Sequence, residues 1–186
     1  MKNLKSIALA MIMAIGTFTA QAQKVNVAKS TINWVGKKVT GQHSGTINFK
    51  DASLTFKNKK LTAGSFVVDM NSLNATDVTG EYQTKLNGHL KNDDFFGTDQ
   101  FPTSTLVFKK IAAKAKGVYT VTGDLTIKGV TNAITFDLAT TAKGASTTLK
   151  IDRTKFGIKY GSGSFFDSLG DKAIDNEFEL KVNLQY

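Results

Sequence analysis

Residues 178–186 read FELKVNLQY, in which Phe178, Leu180, Val182, Leu184 and Tyr186 alternate with Glu179, Lys181, Asn183 and Gln185. Successive side chains of a strand point to opposite faces, so a period of two describes a strand with one apolar and one wet face. The same alternation recurs along the chain, in Ile32/Trp34, Ile47/Phe49, Leu54/Phe56, Phe66/Val68/Met70, Leu106/Phe108, Val121/Leu125/Ile127, Ile134/Phe136/Leu138 and Leu149/Ile151. The turn signals KNKK (57–60), KGVTN (128–132) and TAKGAS (141–146) separate these runs by few residues. Such short links favour antiparallel hairpins over crossovers. About eight or nine half-apolar strands must hide their faces together, and an antiparallel barrel does so while removing exposed edges. A two-sheet sandwich is the alternative.

One stretch breaks the period. In TGEYQTKLNGHLKN (79–92), Tyr82, Leu86 and Leu90 recur every four residues behind a candidate cap at Thr79, which predicts one short helix near residues 80–91. Phe101-Pro102 closes the excursion, because proline holds the residue before it extended.

The amino terminus carries two lysines, an uncharged apolar run from Ile7 to Phe18 and then Ala20-Gln21-Ala22. This is the pattern of a signal peptide, 1–22, cleaved after Ala22, and it points to a soluble mature protein in the periplasm or secreted. The run falls short of the roughly 18–20 residues of a membrane-spanning helix. Cleavage leaves 164 residues (186 minus 22), enough for one domain over 23–186. With no cysteine in the chain, that domain must be held by its core.

Loss of Lys2 and Lys5 lowers the formal charge from +9 to +7, and Arg153 is the only arginine. The lysines are scattered and form no stripe with aromatics, so nucleic acid is not an expected partner. Transient contact with an anionic membrane surface suits the charge. The oligomeric state is left open, a dimer included.

Two chemistries compete with plain binding. His89 and Asp93, four apart, with His43 from the GQHSG segment, would make a metal site of an enzyme; the plainer reading has the acids satisfying loop backbone while His89 packs beneath them. YGSGS (160–164) lacks the G-x-S-x-G frame of a nucleophilic serine. No catalytic residue and no cofactor are therefore expected. The apolar positions speak more clearly. Trp34, Phe49, Phe66, Phe108, Leu125, Phe136 and Phe178 are expected to face inward, where an eight-stranded barrel either packs solid, as in an exported structural or stress protein, or holds one small ligand. Phe95/Phe96 and Phe165/Phe166 lie in loops and are candidates for a binding mouth, with His89 beside them. Arg153 shares the parity of Leu149 and Ile151, so it points inward and needs a distant acid or a ligand head group.

Three segments taken together resemble the YceI-like family: HLKNDDFFGTDQFPTSTLVF (89–108), GDLTIKGVTNAITFDL (123–138) and IDRTKFGI (151–158), in the family's order, with STINWVGKKVTGQHSGTINF (30–49) before them. The chain departs from the family's pattern at Gly97, where an acid usually follows the phenylalanine pair. The resemblance implies a lipocalin-like periplasmic barrel that binds polyisoprenoid lipid, with the tail in the apolar interior and the head group near the mouth. It thus implies a non-enzymatic carrier or sequestering protein for a long-chain amphiphile.

Overall fold

A computed structural model describes residues 20–186; the expected signal peptide falls largely on residues 1–19, outside the described part. Nine strands are present: β1 (Ala20–Lys24), β2 (Thr31–Lys38), β3 (Gly41–Lys57), β4 (Lys60–Ala75), β5 (Thr103–Ala115), β6 (Val118–Ile127), β7 (Val130–Thr140), β8 (Gly144–Asp152) and β9 (Ile174–Gln185), with one α-helix, α1 (Gly80–Lys91). Each pairs antiparallel with its neighbour in sequence from β2 to β9, and β9 returns to β2 to close an eight-stranded ring. Strand β1 stands outside the ring and extends the β2 side of the long β3: β2 pairs with residues 41–47 of β3 and β1 with residues 53–57.

The ring has two unlike ends. The tight turns at Asn58–Lys59, Lys116–Gly117 and Thr141–Lys143 form a base with β1 and the carboxyl terminus. At the other end lie the β2–β3 and β6–β7 turns and two long excursions, 76–102 with α1 and 153–173. The base is filled. Leu54, Leu61, Tyr119, Val121 and Ala145 are buried there, and the Tyr186 hydroxyl donates to the carbonyl of Gly144 at 2.9 Å, tying the last residue to the β7–β8 turn.

Helix α1 begins after Thr79, but the threonine hydroxyl makes no capping bond. The helix is fastened instead by amide side chains. Asn87 accepts from the Ala75 amide at 2.8 Å and donates to Asn74 at 2.8 Å, while Gln83 donates to the Ala75 carbonyl at 2.6 Å. Tyr82, expected on the apolar face, is 80% exposed; only Leu86 and Leu90 of that trio turn toward the barrel. Two polar anchors at the end of β4 thus set the helix orientation that the apolar spacing alone would have set differently.

The second excursion is held by Arg153. Its guanidinium donates to the carbonyls of Ile158 (2.9 Å), Asp175 (3.0 Å) and Ile174 (3.0 Å), and the residue is only 2% exposed. The inward direction read from parity is present, but the expected acid is not: among the described residues no carboxylate pairs with it, and three backbone carbonyls take its donors. Burial pushes this guanidinium below its ordinary pKa, opposed by the charges of Asp152 and Asp175. Hydrogen bonding by carbonyls stabilises a buried cation without a counter-ion, at the cost of making it irreplaceable.

One junction of the ring is thin. Strands β6 and β7 share ten register pairs and β8 and β9 share nine, whereas β7 and β8 share two, Ala139 with Ser146 and Thr140 with Ala145. Beyond that point the two strands are tied by side chains: Thr147 donates to the Asp137 carbonyl at 2.7 Å and Asn132 to the Lys155 carbonyl at 2.9 Å. Ile134 and Phe136 pack with Leu149 and Ile151 along the inner side of this seam.

Three outcomes follow from these arrangements. Arg153→Met should lower unfolding free energy in urea by about 3 kcal/mol or more, since each abandoned buried carbonyl costs about 1–3 kcal/mol, and Arg153→Lys should not restore it because an ammonium cannot span three divergent acceptors. A Cβ added at Gly64 would sit 2.5 Å from the Phe108 ring, whereas one at Gly36 meets nothing within 4 Å; Gly64→Ala should cost about 1–3 kcal/mol and Gly36→Ala under about 1 kcal/mol in the same measurement. Amide hydrogen exchange should be faster along residues 147–152 and 131–137 than in the fully paired central strand β6, and uniform protection across the three would contradict the seam.

Candidate ligand-binding cavity

Between the filled base and the two excursions lies a cavity of about 230 Å³. At roughly 10–15 Å³ per water this has room for on the order of fifteen to twenty molecules, far more than packing defects leave in an ordinary core. Its wall is apolar. Trp34, Phe49, Phe66, Phe108, Leu125, Phe136 and Phe178 all line it, together with Leu180 and Val182 of the closing strand, down to Leu138 and Leu184. Phe49, Phe108, Phe136, Phe178, Leu180 and Val182 point inward yet stay only half-buried, because what they face is this space.

Aromatic rings form an arc on one wall. Phe49 and Phe66 lie 6.0 Å apart, Phe66 and Phe108 5.4 Å, and Phe108 and Phe136 5.9 Å, all tilted or edge-on. These are favoured geometries for aromatic pairs, worth about 0.5–1.5 kcal/mol each beyond their burial. Gly64 makes the arc possible, since the Phe108 ring occupies the place of its missing Cβ.

The excursions form the upper wall. His89 meets the rings of Phe95 at 5.3 Å and Tyr160 at 4.6 Å, both edge-on, and Phe95 in turn lies 5.8 Å from Phe96 and beneath the Arg153 guanidinium at 5.5 Å. This cluster locks the 76–102 excursion to the 153–173 excursion over the cavity. The Phe95/Phe96 pair is therefore not an exposed flap: Phe95 is 6% exposed and Phe96 packs against Phe178, 6.2 Å away. Phe165 and Phe166 differ. They are 47% and 50% exposed and are not on the cavity wall. The sequence offered the two pairs as equivalent because both are FF in a loop; what separates them is that 95–98 are drawn inward by backbone bonds to α1, Phe96 to the Leu90 carbonyl (3.1 Å) and Thr98 to that of Lys91 (2.9 Å). The Gly97 departure suits its place, at φ +55°, a left-handed conformation that costs glycine nothing.

The cavity reaches solvent beside the β2–β3 hairpin and the start of β9, where the exposed residues Lys37, Lys38, Asp175 and Glu177 join the lining. Sequence reasoning missed these four, since they read as ordinary outward charges of a strand end. His43 also lines this edge and lies in β3, not in a loop; its Nδ1 is 2.8 Å from the Asp77 carboxylate. Burial raises the Asp77 pKa, but hydrogen bonds from His43 and from backbone outweigh it and leave the group below its ordinary value.

The three residues of the metal reading are not brought together. Helix α1 stops at Lys91 and Asn92 is extended, so Asp93 leaves the helical face of His89. Asp93 accepts instead from Gln100, and its carbonyl accepts from Lys128. Among the described residues no three histidine, aspartate or glutamate side chains converge on a common point.

Phe95→Ala should cost about 3–5 kcal/mol in chemical denaturation because it empties a buried ring site, while Phe165→Ala and Phe166→Ala should stay within about 0.5 kcal/mol. Equal costs for the two pairs would contradict this division.

Comparison with known proteins agrees with the architecture. The chain matches the "YceI-like domain" family over residues 23–186. It is 33% identical to a UPF0312 protein of Shewanella denitrificans over 100 residues, which are 54% of this chain and 50% of that one. A UPF0312 protein of Staphylococcus aureus is 37% identical over 100 residues, 46% of this chain and 56% of that one. The matched stretch thus spans about half the length of these relatives. Among solved structures, Burkholderia cenocepacia BcnA superposes with a TM-score of 0.69 at 25% identity, covering 86% of this chain and 98% of that one. A polyisoprenoid binding domain from Saccharophagus degradans, implicated in plant cell wall breakdown, does so with a TM-score of 0.58 at 18% identity, covering 90% and 97%. The ring of eight antiparallel strands with one helix has the fold of these solved structures, and with the family's model matching 164 of 186 residues (23–186), the chain belongs to the YceI-like family.

Proposed function

We propose that this protein binds the tail of a polyisoprenoid or similar long-chain amphiphile in its barrel and carries or sequesters it without chemical change. The observation that carries this reading is the apolar cavity. The apolar side chains around these 230 Å³ are left against whatever fills the space, at about 25 cal/mol per Å² of apolar surface kept in water. A chain that could fill its barrel as it fills its base, yet leaves the upper half open, loses stability that an occupant restores. The polyisoprenoid binding domain of Saccharophagus degradans, similar in fold, supports that class of occupant. A tail gains about 0.8 kcal/mol per methylene withdrawn from water, which needs no directed polar contact. The filled-core alternative, a structural exported domain, sits poorly with a space of this size. The enzymatic alternative would need His43, His89 and Asp93 to act together, and each is committed to a different neighbour.

The reading includes export through a signal peptide, 1–22, to the periplasm or exterior. Cleavage after Ala22 removes three of the five residues of β1 and leaves the ring β2–β9 whole. Intact-mass measurement on protein recovered from the producing cell should give a chain beginning at Gln23; a chain that keeps residues 1–22 would overturn this part.

Trp34, the only tryptophan of the chain, lines the cavity and reports on its contents. Titration with all-trans-retinol, an isoprenoid alcohol that accepts tryptophan emission, should quench Trp34 with saturation at one equivalent. Leu180→Trp, which fills the cavity, should weaken binding of retinol at least tenfold without lowering the melting temperature. Native mass spectrometry of protein purified without detergent should show a lipid adduct removable by organic solvent. Lipid-free protein that also leaves Trp34 unquenched by retinol would overturn the function.

A further inference from the structure

The two ends of the barrel carry different surfaces. Among the described residues seven large apolar side chains are exposed: Val39, Tyr82, Val107, Val130, Tyr160, Phe165 and Phe166. Six of them, all but Val107, lie on the turns and excursions of the open end. The base has none. Charge divides the same way. The segments 37–43, 76–102, 128–130 and 152–177 of the open end hold nine basic residues and ten acids, a net charge of −1. The remainder of residues 20–186 holds thirteen lysines and five acids, a net +8. At the base, Lys57, Lys59, Lys60, Lys114, Lys116 and Lys143 crowd the three tight turns.

Exposed aromatics gathered at the end of the barrel where an apolar cavity reaches solvent have a use that scattered ones lack. Tyr and Phe at the end of a structure suit the boundary between lipid headgroups and acyl chains, and a near-neutral face neither needs nor seeks anionic lipid. Lys159, whose ammonium lies 4.6 Å above the Phe165 ring, keeps its charge at the level a headgroup would occupy while the ring points outward. The base, by contrast, is built to be attracted by anionic surfaces through charge alone.

We propose that the open end is a membrane-contact face, which sets its aromatic rim, with Phe165 and Phe166 at its tip, into the neutral interface of a bilayer so that a tail passes between membrane and cavity without crossing water. Attraction of the cationic base to anionic lipid is then a competing, unproductive orientation: it raises the amount of bound protein and slows exchange. The inference rests on the cavity's receiving a lipid, but its first test reads only contact with the bilayer and uses no retinol.

The chain has no cysteine, so one can be placed at will. Gly163→Cys lies between the excursion's aromatics, where a Cβ meets nothing within 4 Å, and Lys116→Cys lies on the β5–β6 turn of the base. Each is labelled with a polarity-sensitive nitrobenzoxadiazole dye and mixed with phosphatidylcholine vesicles. The rim dye should brighten and shift to the blue while the base dye stays unchanged; Phe165→Ser with Phe166→Ser should weaken vesicle partition at least tenfold at an unchanged melting temperature. With phosphatidylglycerol added, the base dye should respond, and transfer of retinol out of the vesicles should slow severalfold although more protein is bound. A rim dye silent toward phosphatidylcholine, a base dye that responds there instead, or retinol transfer that rises with phosphatidylglycerol overturns the proposal. Retinol uptake from free solution reports on the cavity separately. A silent rim with normal uptake sinks the contact face alone, and absent uptake sinks the cavity reading while the dyes still decide the contact face.

Discussion

Ring closure governs the molecule. A strand with one apolar face must hide that face and also find partners for both edges, and no open sheet of eight such strands does both. Pairing β9 with β2 removes the last two edges at once, and from then on the inward side of every strand has only the other strands to face. Eight strands fix a girth at which side chains can either meet across the middle or stand off around a small ligand. Both outcomes occur in one barrel. Leu54, Val121 and Tyr119 meet at the base, while Phe49, Phe136 and Leu180 higher up face a space.

Polar groups of the interior serve this architecture. Arg153 spends three donors on carbonyls of the excursion that follows it, and His89 lies between two aromatic rings. Asn87 and Gln83 hold α1 by main-chain contacts to Ala75. Arg153, Asn87 and Gln83 are bound to backbone, so they hold the wall in place without turning a free donor or acceptor to whatever occupies the cavity. A site so arranged selects by shape and apolarity, which is the selectivity a hydrocarbon tail can answer.

The sequence made the ring legible because its signal is repeated. A period of two persists through every strand from Ile32 to Leu184, and the parity of each run named the inward residues one by one. Seven aromatic and aliphatic positions placed inward by parity stand on the cavity wall. Solid packing and a cavity were indistinguishable at that stage, since the same residue types line both; the difference lies in the side-chain directions of Phe66, Phe108 and Phe136 and in the room Gly64 leaves them. Excursions were less legible for a related reason. They lack a period, so spacing alone puts Tyr82 on the apolar face, the Phe95 and Phe165 pairs look alike, and parity asks of Arg153 a distant acid or a ligand head group where carbonyls stand. In each case the outcome depends on main-chain groups, which every residue carries and no residue type announces.

The thin β7–β8 junction sets where such a barrel is exposed to its own kind. Along most of the ring each backbone amide is already engaged, but here two strand edges face one another with few bonds between them, and an edge of that sort can accept a strand from another molecule. What guards it is visible on its outer side. Asp137 and Lys150 place charges on the two lips, and between Val130 and Thr140 the outward positions include Thr131, Thr135 and Asp137, with no aromatic among them. Two charges and a row of hydroxyls line that seam, and Asp137, held below the ordinary carboxylate range by its bond from Lys114, keeps its charge there into more acid solution, while salt screens it.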